Sequence, residues 1–403
     1  MMPNDWENKT LESLCDPDAP ITYGVLKPGD YVVDGIPLLQ IKDLLGNIND
    51  IDSLHRISSE LDHEYRRSRI ATNDILISLV GTVGRLGLVP KEIDGSNIHR
   101  NLGRIRTNHY EFLIHYLNSD IAKNQIGLSS SGSSQSALNL TVLRALKVPI
   151  PPLPEQRKIA TILGTWDKAI STTERLIDNS KQQKKALMQQ LLTGKKRLLD
   201  DSGKSFEGEW EEVAVGDLGT IYSGGTPSTS NKEYWDGDID WITPTDITKQ
   251  DSVYINSSVR RISAEGLKNS SAKLVPKGSL LVCTRATIGE MAITAHEMCT
   301  NQGFKNIIPN QKTNIEFLFY LLTYEKHKLI SKASGSTFLE LSKSAFESMK
   351  FNVPLIGEQQ KIAAVLTNAD KEIVALEKQL ADLKQEKKAL MQQLLTGKRR
   401  VKV

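Results

Sequence analysis

Cysteine is nearly absent. Cys15, Cys283 and Cys299 are the only three, and no two form a C-x-x-C pair. That odd, scattered set argues against a disulfide framework or a cysteine zinc site, and it fits a reducing, cytoplasmic setting. No apolar run approaches the roughly 20 residues that cross a bilayer, so no membrane role is expected. The first residues, MMPNDWENKT, show neither a basic n-region nor an apolar h-region, and no secretory signal is expected.

Signatures of catalysis are missing as well. There is no H-E-x-x-H, no G-x-S-x-G elbow and no Asn-Pro-Pro-aromatic stretch of the amino-methyltransferase kind. GTVGRLG (Gly81–Gly87) has the wrong spacing for a dinucleotide fingerprint and no Lys-Ser/Thr for a phosphate loop. It reads instead as a strand–turn–strand glycine set. His55, His63, His99, His109 and His115 lie in the first half without ligand spacing, which fits surface or core histidines.

What is present is size, charge contrast and repetition. A chain of 403 residues exceeds one ordinary core, and 39% hydrophobic with 25% charged residues is a soluble globular composition. The net charge of +3 hides a contrast. Lys181–Leu198 carries +6 with no acid, and Lys384–Lys402 carries seven bases against Glu386, leaving about −9 for the rest. Such basic stretches are either solvated helix ends or the neighbours of a polyanion or an acidic partner. Charge alone does not decide.

KKALMQQLLTGKKR (Lys184–Arg197) returns as KKALMQQLLTGKRR (Lys387–Arg400), identical at 13 of 14 positions and shifted by 203 residues. The same shift lays EQRKIATILGTWDKAI (Glu155–Ile170) on EQQKIAAVLTNADKEI (Glu358–Ile373). It also lays GIPLLQIKDL (Gly35–Leu44) on DIDWITPTDI (Asp238–Ile247). With small gaps, ILISLVGTVGRLGLV (Ile75–Val89) matches SLLVCTRATIGEMAI (Ser279–Ile293), and FLIHYL (Phe112–Leu117) matches FLFYLL (Phe317–Leu322). Trp6 and Trp210 open the two copies. A period this long is a domain duplication, not a solenoid.

Each copy ends in a long helix. Ile362, Val365, Ala369, Ile373, Leu376, Leu380, Leu383, Lys387, Leu390 and Leu394 alternate spacings of three and four, as a coiled-coil seam does. The first copy has Ile159, Ile162, Trp166, Ile170, Thr173, Ile177, Ser180, Lys184, Leu187 and Leu191 in the same register. Matching length and register predict that the helices pair. Proline before Glu155, and Gly194 and Gly397, mark the ends. The expected domains are 1–150 and 200–353, mixed α and β, with spacer helices in 151–199 and 354–403.

Polar loops recur at matching places. SSSGSSQSALNL (Ser129–Leu140) includes Ser133, Ser134 and Gln135, and KASGSTFLEL (Lys332–Leu341) includes Ser336 and Thr337. YSGGTPSTSNKEYW (Tyr222–Trp235) offers Ser223, Gly224, Gly225, Thr226 and Lys232. Thr243, Thr245, Arg285, Asn301 and Gln302 follow. EYRRSRI (Glu64–Ile70) brings Arg66, Arg67 and Arg69, with Arg85 further on. Hydroxyls, main-chain amides and arginines suit phosphates and base edges, and ordinary turns use the same residues.

Two variable regions, each closed by a proline-marked E-Q-x-K-I-A helix, PLPEQRKIA in the first copy and PLIGEQQKIA in the second, resemble the specificity subunit of type I restriction-modification systems. PLPEQRKIATIL with its second copy, and GGTP…YW…IDWITPTDI, carry the likeness; the first region shows YGVLKPGD where the second has the G-G-T-P loop. The resemblance implies an α+β fold: two target-recognition domains related by pseudo-two-fold symmetry, separated by two antiparallel coiled-coil helices. It implies a non-catalytic DNA reader, each domain recognising half of a bipartite target in double-stranded DNA. The helices would set the gap and dock two modification methyltransferase subunits. Restriction and translocase subunits would join, and S-adenosylmethionine, ATP and Mg2+ would belong to those partners, with no cofactor or metal in this chain. By the same resemblance the polar and basic residues above become the DNA contacts, and the apolar seam residues the spacer and docking set. An autonomous endonuclease and a coiled-coil assembly protein without a DNA role remain the alternatives.

Overall fold

The computed structural model describes residues 3–44, 48, 50–126, 137–250, 252–334 and 339–402. The chain forms two compact units, one of Met1–Glu174 with Lys378–Val403 and the other of Arg175–Glu377. Two long helices, Leu153–Leu191 and Ile356–Leu394, contribute to both.

In the first unit, an antiparallel sheet runs in the order Thr22–Tyr23, Leu102–Ile105, Ile75–Ser78, Leu86–Leu88. A second sheet places Ile36–Leu39 between His55–Ile57 and Asn97–Ile98, and a ribbon pairs Glu7–Thr10 with Lys147–Ile150. The Ile75–Ser78 strand is buried on both faces, which explains why it reads as an unbroken apolar run. Ile75 and Ile77 face the cluster of Phe112, Leu113, Tyr116 and Ile159, while Leu76 joins Leu39, Ile98 and Leu102 beneath. Alternation across the strand sends neighbours to opposite faces.

The second unit repeats this topology. Its larger sheet runs Gly219–Ser223, Phe304–Pro309, Leu280–Cys283, Met291–Thr294, with Tyr254–Ile255 added at the edge. Trp235–Ile242 lies between Arg261–Ile262 and Cys299–Thr300, and Glu211–Ala214 pairs with Lys350–Val353. Leu280, Val282 and Ile307 face Phe317, Tyr320 and Ile362, whereas Leu281 and Phe304 pack with Ile242. The expected GTVG turn joins Ile75–Ser78 to Leu86–Leu88, and ATIG joins the corresponding strands here. Fully burying side chains of this size stabilises by about 1.5–3 kcal/mol each.

Within each unit the two long helices run antiparallel, fixed by three ion pairs. In the first unit Arg400 holds Glu155 at 2.7 and 2.8 Å, Lys387 pairs with Asp167, and Lys384 meets Glu174 at 2.7 Å. In the second, Arg197 holds Glu358 at 2.6 and 2.7 Å, Lys184 pairs with Asp370, and Lys181 meets Glu377 at 2.6 Å. Shifting the first set by 203 residues reproduces the second with the helices exchanged. The seam lysines, which interrupt the apolar heptads, are therefore ion-pairing positions.

The P-x-x-x-E-Q motif, Pro151–Gln156 and Pro354–Gln359, anchors each unit. Glu155 is 2% exposed and also accepts from Trp6 Nε1 at 3.1 Å; Glu358, 1% exposed, accepts from Trp210 Nε1 at 3.3 Å. Each tryptophan meets a phenylalanine edge-on, Phe112 at 6.5 Å and Phe317 at 6.2 Å. The neighbouring glutamines donate to the Pro151 and Pro354 carbonyls at 2.7 and 2.8 Å. Their oxygens reach His109 Nδ1 and the Asn314 amide, both at 2.9 Å, just before the docking helices Tyr110–Asn118 and Ile315–Tyr324. Trp and carboxylate together thus seat ribbon, helix and sheet on one buried charge. Such a charge is tolerated only because it is paired and hydrogen-bonded.

Every apolar seam residue is buried or half-buried: Ile159, Ile162, Trp166, Ile170, Ile177, Leu187, Leu191, Ile362, Val365, Ile373, Leu376, Leu380, Leu383, Leu390 and Leu394. They hold the chain's own packing.

Candidate nucleic-acid interface

Three adjacent strands of each main sheet end side by side. In the second unit Ser223 pairs with Lys305, and Lys305 with Val282. The chain continues from these ends into Gly224–Thr226, Asn301–Gly303 and Arg285–Gly289. In the first unit Tyr23 pairs with Gly103 and Gly103 with Ile77, leading into the corresponding loops. YGVLKPGD therefore occupies the place of the G-G-T-P loop.

Close backbone approach explains the shared glycine. A Cβ on Gly24 would lie 1.7 Å from the Ile98 carbonyl oxygen, and one on Gly224 would lie 1.8 Å from that of Asn301. Val25 N donates to Ile98 O at 2.8 Å, and Gly225 N to Thr300 O at 2.9 Å. The Gly224 and Gly225 amides are thus committed to the chain's own carbonyls, Gly224 N donating to Phe304 O. They leave no main-chain donors for phosphate, so these two glycines shape the loop.

Around that loop the structure gathers several of the expected residues. Thr226 Oγ1 donates to Gln302. Asn301 N donates to Ile242 O at 3.0 Å, and its side chain accepts from Gly303 N at 2.9 Å. Thr243 caps the short Pro244–Thr248 helix through Asp246, leaving Thr245 exposed. Arg285 reaches Glu340 at 2.6 Å. The next residue, Ala286, adopts φ +58 where the first unit has Gly81. That conformation is costly for a side chain with Cβ. Lys232 is exposed in the Lys232–Tyr234 turn.

Sequence reading missed the aromatic platform beside this loop. Trp235 and Trp241 meet edge-on at 5.1 Å, and their indole nitrogens donate to Ser228 O and Gly225 O at 3.1 and 2.8 Å. The Arg260 guanidinium lies 3.8 Å from the Trp235 ring centroid and 5.2 Å from that of Trp241. Its five donors stay in plane while its face is held, a pre-organised form of arginine. The adjacent Arg261 is engaged by Asp240 at 3.3 Å, together with His296 and Ser258. Burial opposes ionisation of Asp240, but hydrogen bonds from Ser258 and His296 and the charge of Arg261 hold its carboxyl below the ordinary value.

The first unit presents different chemistry. Leu38 stands where Trp241 does, and Leu26, Tyr31 and Val33 are 44, 54 and 75% exposed. Arg66 and Arg67 are exposed, as is Arg85 in the turn after Ile75–Ser78. Arg69, also exposed, is bound to buried Asp62 through both Nε and Nη2, and its carbonyl accepts from Arg104 and Arg106. It braces the domain. Ser133, Ser134, Gln135, Ser336 and Thr337 lie outside the described residues.

A shared fold with loops that differ in chemistry is a scaffold for variable recognition. Over 98% of each chain, the protein matches the HsdS subunit of Thermoanaerobacter tengcongensis with a TM-score of 0.53 at 22% identity, a likeness of fold. The family model for the type I restriction modification DNA specificity domain matches twice, over residues 3–180 and 207–385. The chain belongs to this family. It is similar to the type I restriction enzyme MjaIX specificity subunit of Methanocaldococcus jannaschii, 41% identical over 40% of this chain but only 38% of that one. The putative MjaX specificity subunit of the same organism is 28% identical over all of this chain and 95% of its own length. Among the described residues, no helix is long and apolar enough to cross a membrane.

Proposed function

We propose that this chain is the DNA specificity subunit of a type I restriction-modification enzyme and carries no catalytic step itself. Each globular region reads one half of a bipartite target through the loops at the ends of its three central strands. The observation that carries this reading is a contrast within the duplication. The ion pairs, tryptophan anchors and strand order recur in both copies, while the strand-end loops differ in charge and in aromatic content. Because the readers differ, the two half-sites differ and the full target is not a palindrome.

The long helices act as a spacer. Thirty-nine residues at 1.5 Å each make a helix of about 58 Å. That exceeds one turn of B-DNA, roughly 34 Å, and it sets half-sites about a turn apart. The exposed faces of these helices, and the basic residues just past their ends, Lys195, Lys196, Lys398 and Arg399, dock two adenine-modification methyltransferase subunits or lie near phosphate. Restriction and translocase subunits complete the complex in the cytoplasm. S-adenosylmethionine, ATP and Mg2+ act in those partners.

Methylome sequencing of a host expressing this chain with its modification subunit tests the reading. The expected result is methylated adenine in one interrupted, asymmetric motif. A contiguous or palindromic motif, or none, contradicts it. Deleting one helical turn from either spacer should change the gap and leave both half-sites as they were.

A further inference from the structure

We propose that Lys305 of the second unit is a seat for one DNA backbone phosphate, its ammonium donating to a non-bridging phosphodiester oxygen beside Arg285, where the three central strands end. The proposal rests on the DNA-reading function above and assigns that interface its phosphate contact.

The placement comes from strand register. Lys305 is the second residue of the middle strand, flanked by Ser223 on one side and Val282 on the other, where all three strands run out into the candidate reading loops. Its stem is enclosed, since the residue is only 4% exposed. Yet the ammonium has no hydrogen-bond or ion-pair partner among the described residues, and it is not among the fully enclosed unpartnered polar atoms. It therefore keeps a solvent-facing edge. The surrounding charges are already matched. Arg285 holds Glu340 at 2.6 Å and Lys343 meets Glu347 at 3.3 Å, so among the described residues Lys305 has no ion pair of its own, and Glu340 is shared with Arg285. Burial lowers its proton affinity, and Arg285 and Lys343 add to that effect against Glu340.

Packing gives no reason for a lysine here. The corresponding residue of the first unit is Gly103, between the same two strands, which places no side chain there at all. A buried stem with an unpaired ammonium costs stability unless an anion arrives. A lysine is a compact point charge rather than a planar fork, which suits a phosphate oxygen better than a base edge.

Fluorescence anisotropy of the full chain with a labelled mixed-sequence duplex, across a series of KCl concentrations, tests this. Each phosphate contact contributes a slope of about −0.9 in log K against log salt. Lys305→Met should flatten the slope by about 0.9 and weaken binding roughly five- to tenfold near 0.1 M salt. Lys305→Arg should restore most of both. Lys305→Met should also melt at or above the wild-type temperature, which a purely structural lysine would not allow. If the wild type binds duplex and Lys305→Met keeps its slope, the seat is wrong while the DNA reading stands. If the wild type shows no salt-dependent duplex binding, both fall. If Lys305→Met melts lower and Lys305→Arg fails to rescue binding, the lysine is structural. If the loss appears in binding to the modification subunit instead, the anion is a protein carboxylate, and that also overturns the proposal.

Discussion

The two units differ most where they are most exposed. The second unit sets Arg260 on a pair of tryptophans and carries Lys305 and Arg285 at the strand ends. The first unit places Leu26, Tyr31 and Val33 in solvent there, with Gly103 in the lysine's position. Where strands and helices meet, the units agree almost atom for atom: Trp6–Glu155–Arg400 against Trp210–Glu358–Arg197. A buried carboxylate tolerates few changes, because its partners must supply charge and donors together. A loop at a strand end carries no such constraint. Duplication followed by divergence therefore preserves the anchors and varies the readers.

Changes at the shared anchors should cost both units alike. Ile159→Ala and Ile362→Ala remove fully buried side chains at equivalent places. Each should lose about 2–5 kcal/mol in chemical unfolding. A large loss in one alone would break the equivalence. Trp6→Phe and Trp210→Phe keep most of the ring and remove one donor to the buried glutamate. Such bonds to charged groups contribute about 1.5–3 kcal/mol, with Trp210 at the lower end because it is partly exposed and its bond is longer.

Changes at the readers should separate the units. Arg260→Ala removes an exposed cation–π contact, usually about 0.5–1 kcal/mol. Thermal unfolding should barely shift, while in methylome sequencing the half-site read by the second unit loses stringency and the other half keeps its own.

The smallest difference concerns acid. His115 and Tyr320 occupy equivalent turns of the docking helices and face equivalent ion pairs, Asp167–Lys387 and Asp370–Lys184. Burial is the main cause that lowers the His115 pKa, and Lys387 adds to it against the charge of Asp167. The unfolded chain then binds more protons near the ordinary value of 6.5. That contribution to stability is complete above pH about 6.5 and fades as pH falls through the lower folded value. Half-buried His99 acts in the same direction. His115→Tyr should therefore reduce, but not abolish, the loss of melting temperature between pH 7 and pH 5. Tyr320→His should increase it.

Much of this fold is legible in the sequence because it is written twice. The 203-residue shift, the heptad seam and the E-Q motif rest on local spacing, and the structure places them where spacing says. The contacts that join distant segments are not legible. Lys184 and Lys387 look like flaws in a seam until Asp370 and Asp167 appear opposite them, 186 and 220 residues away. Arg69 looks like part of a basic patch, yet buried Asp62 holds it. Arg260 and Trp235 lie 25 residues apart in the chain with no periodicity to link them. Lys305 did leave a trace: FKNII places a lysine inside an apolar strand, and such a residue needs an explanation.

A domain exchange tests the central claim most directly. Trp6–Pro149 is replaced by the corresponding region of another family member, and the host methylome is sequenced with the same modification subunit. One half of the motif should change while the gap and the other half stay as they were. A motif altered in both halves, or in neither, would contradict independent readers on a shared frame.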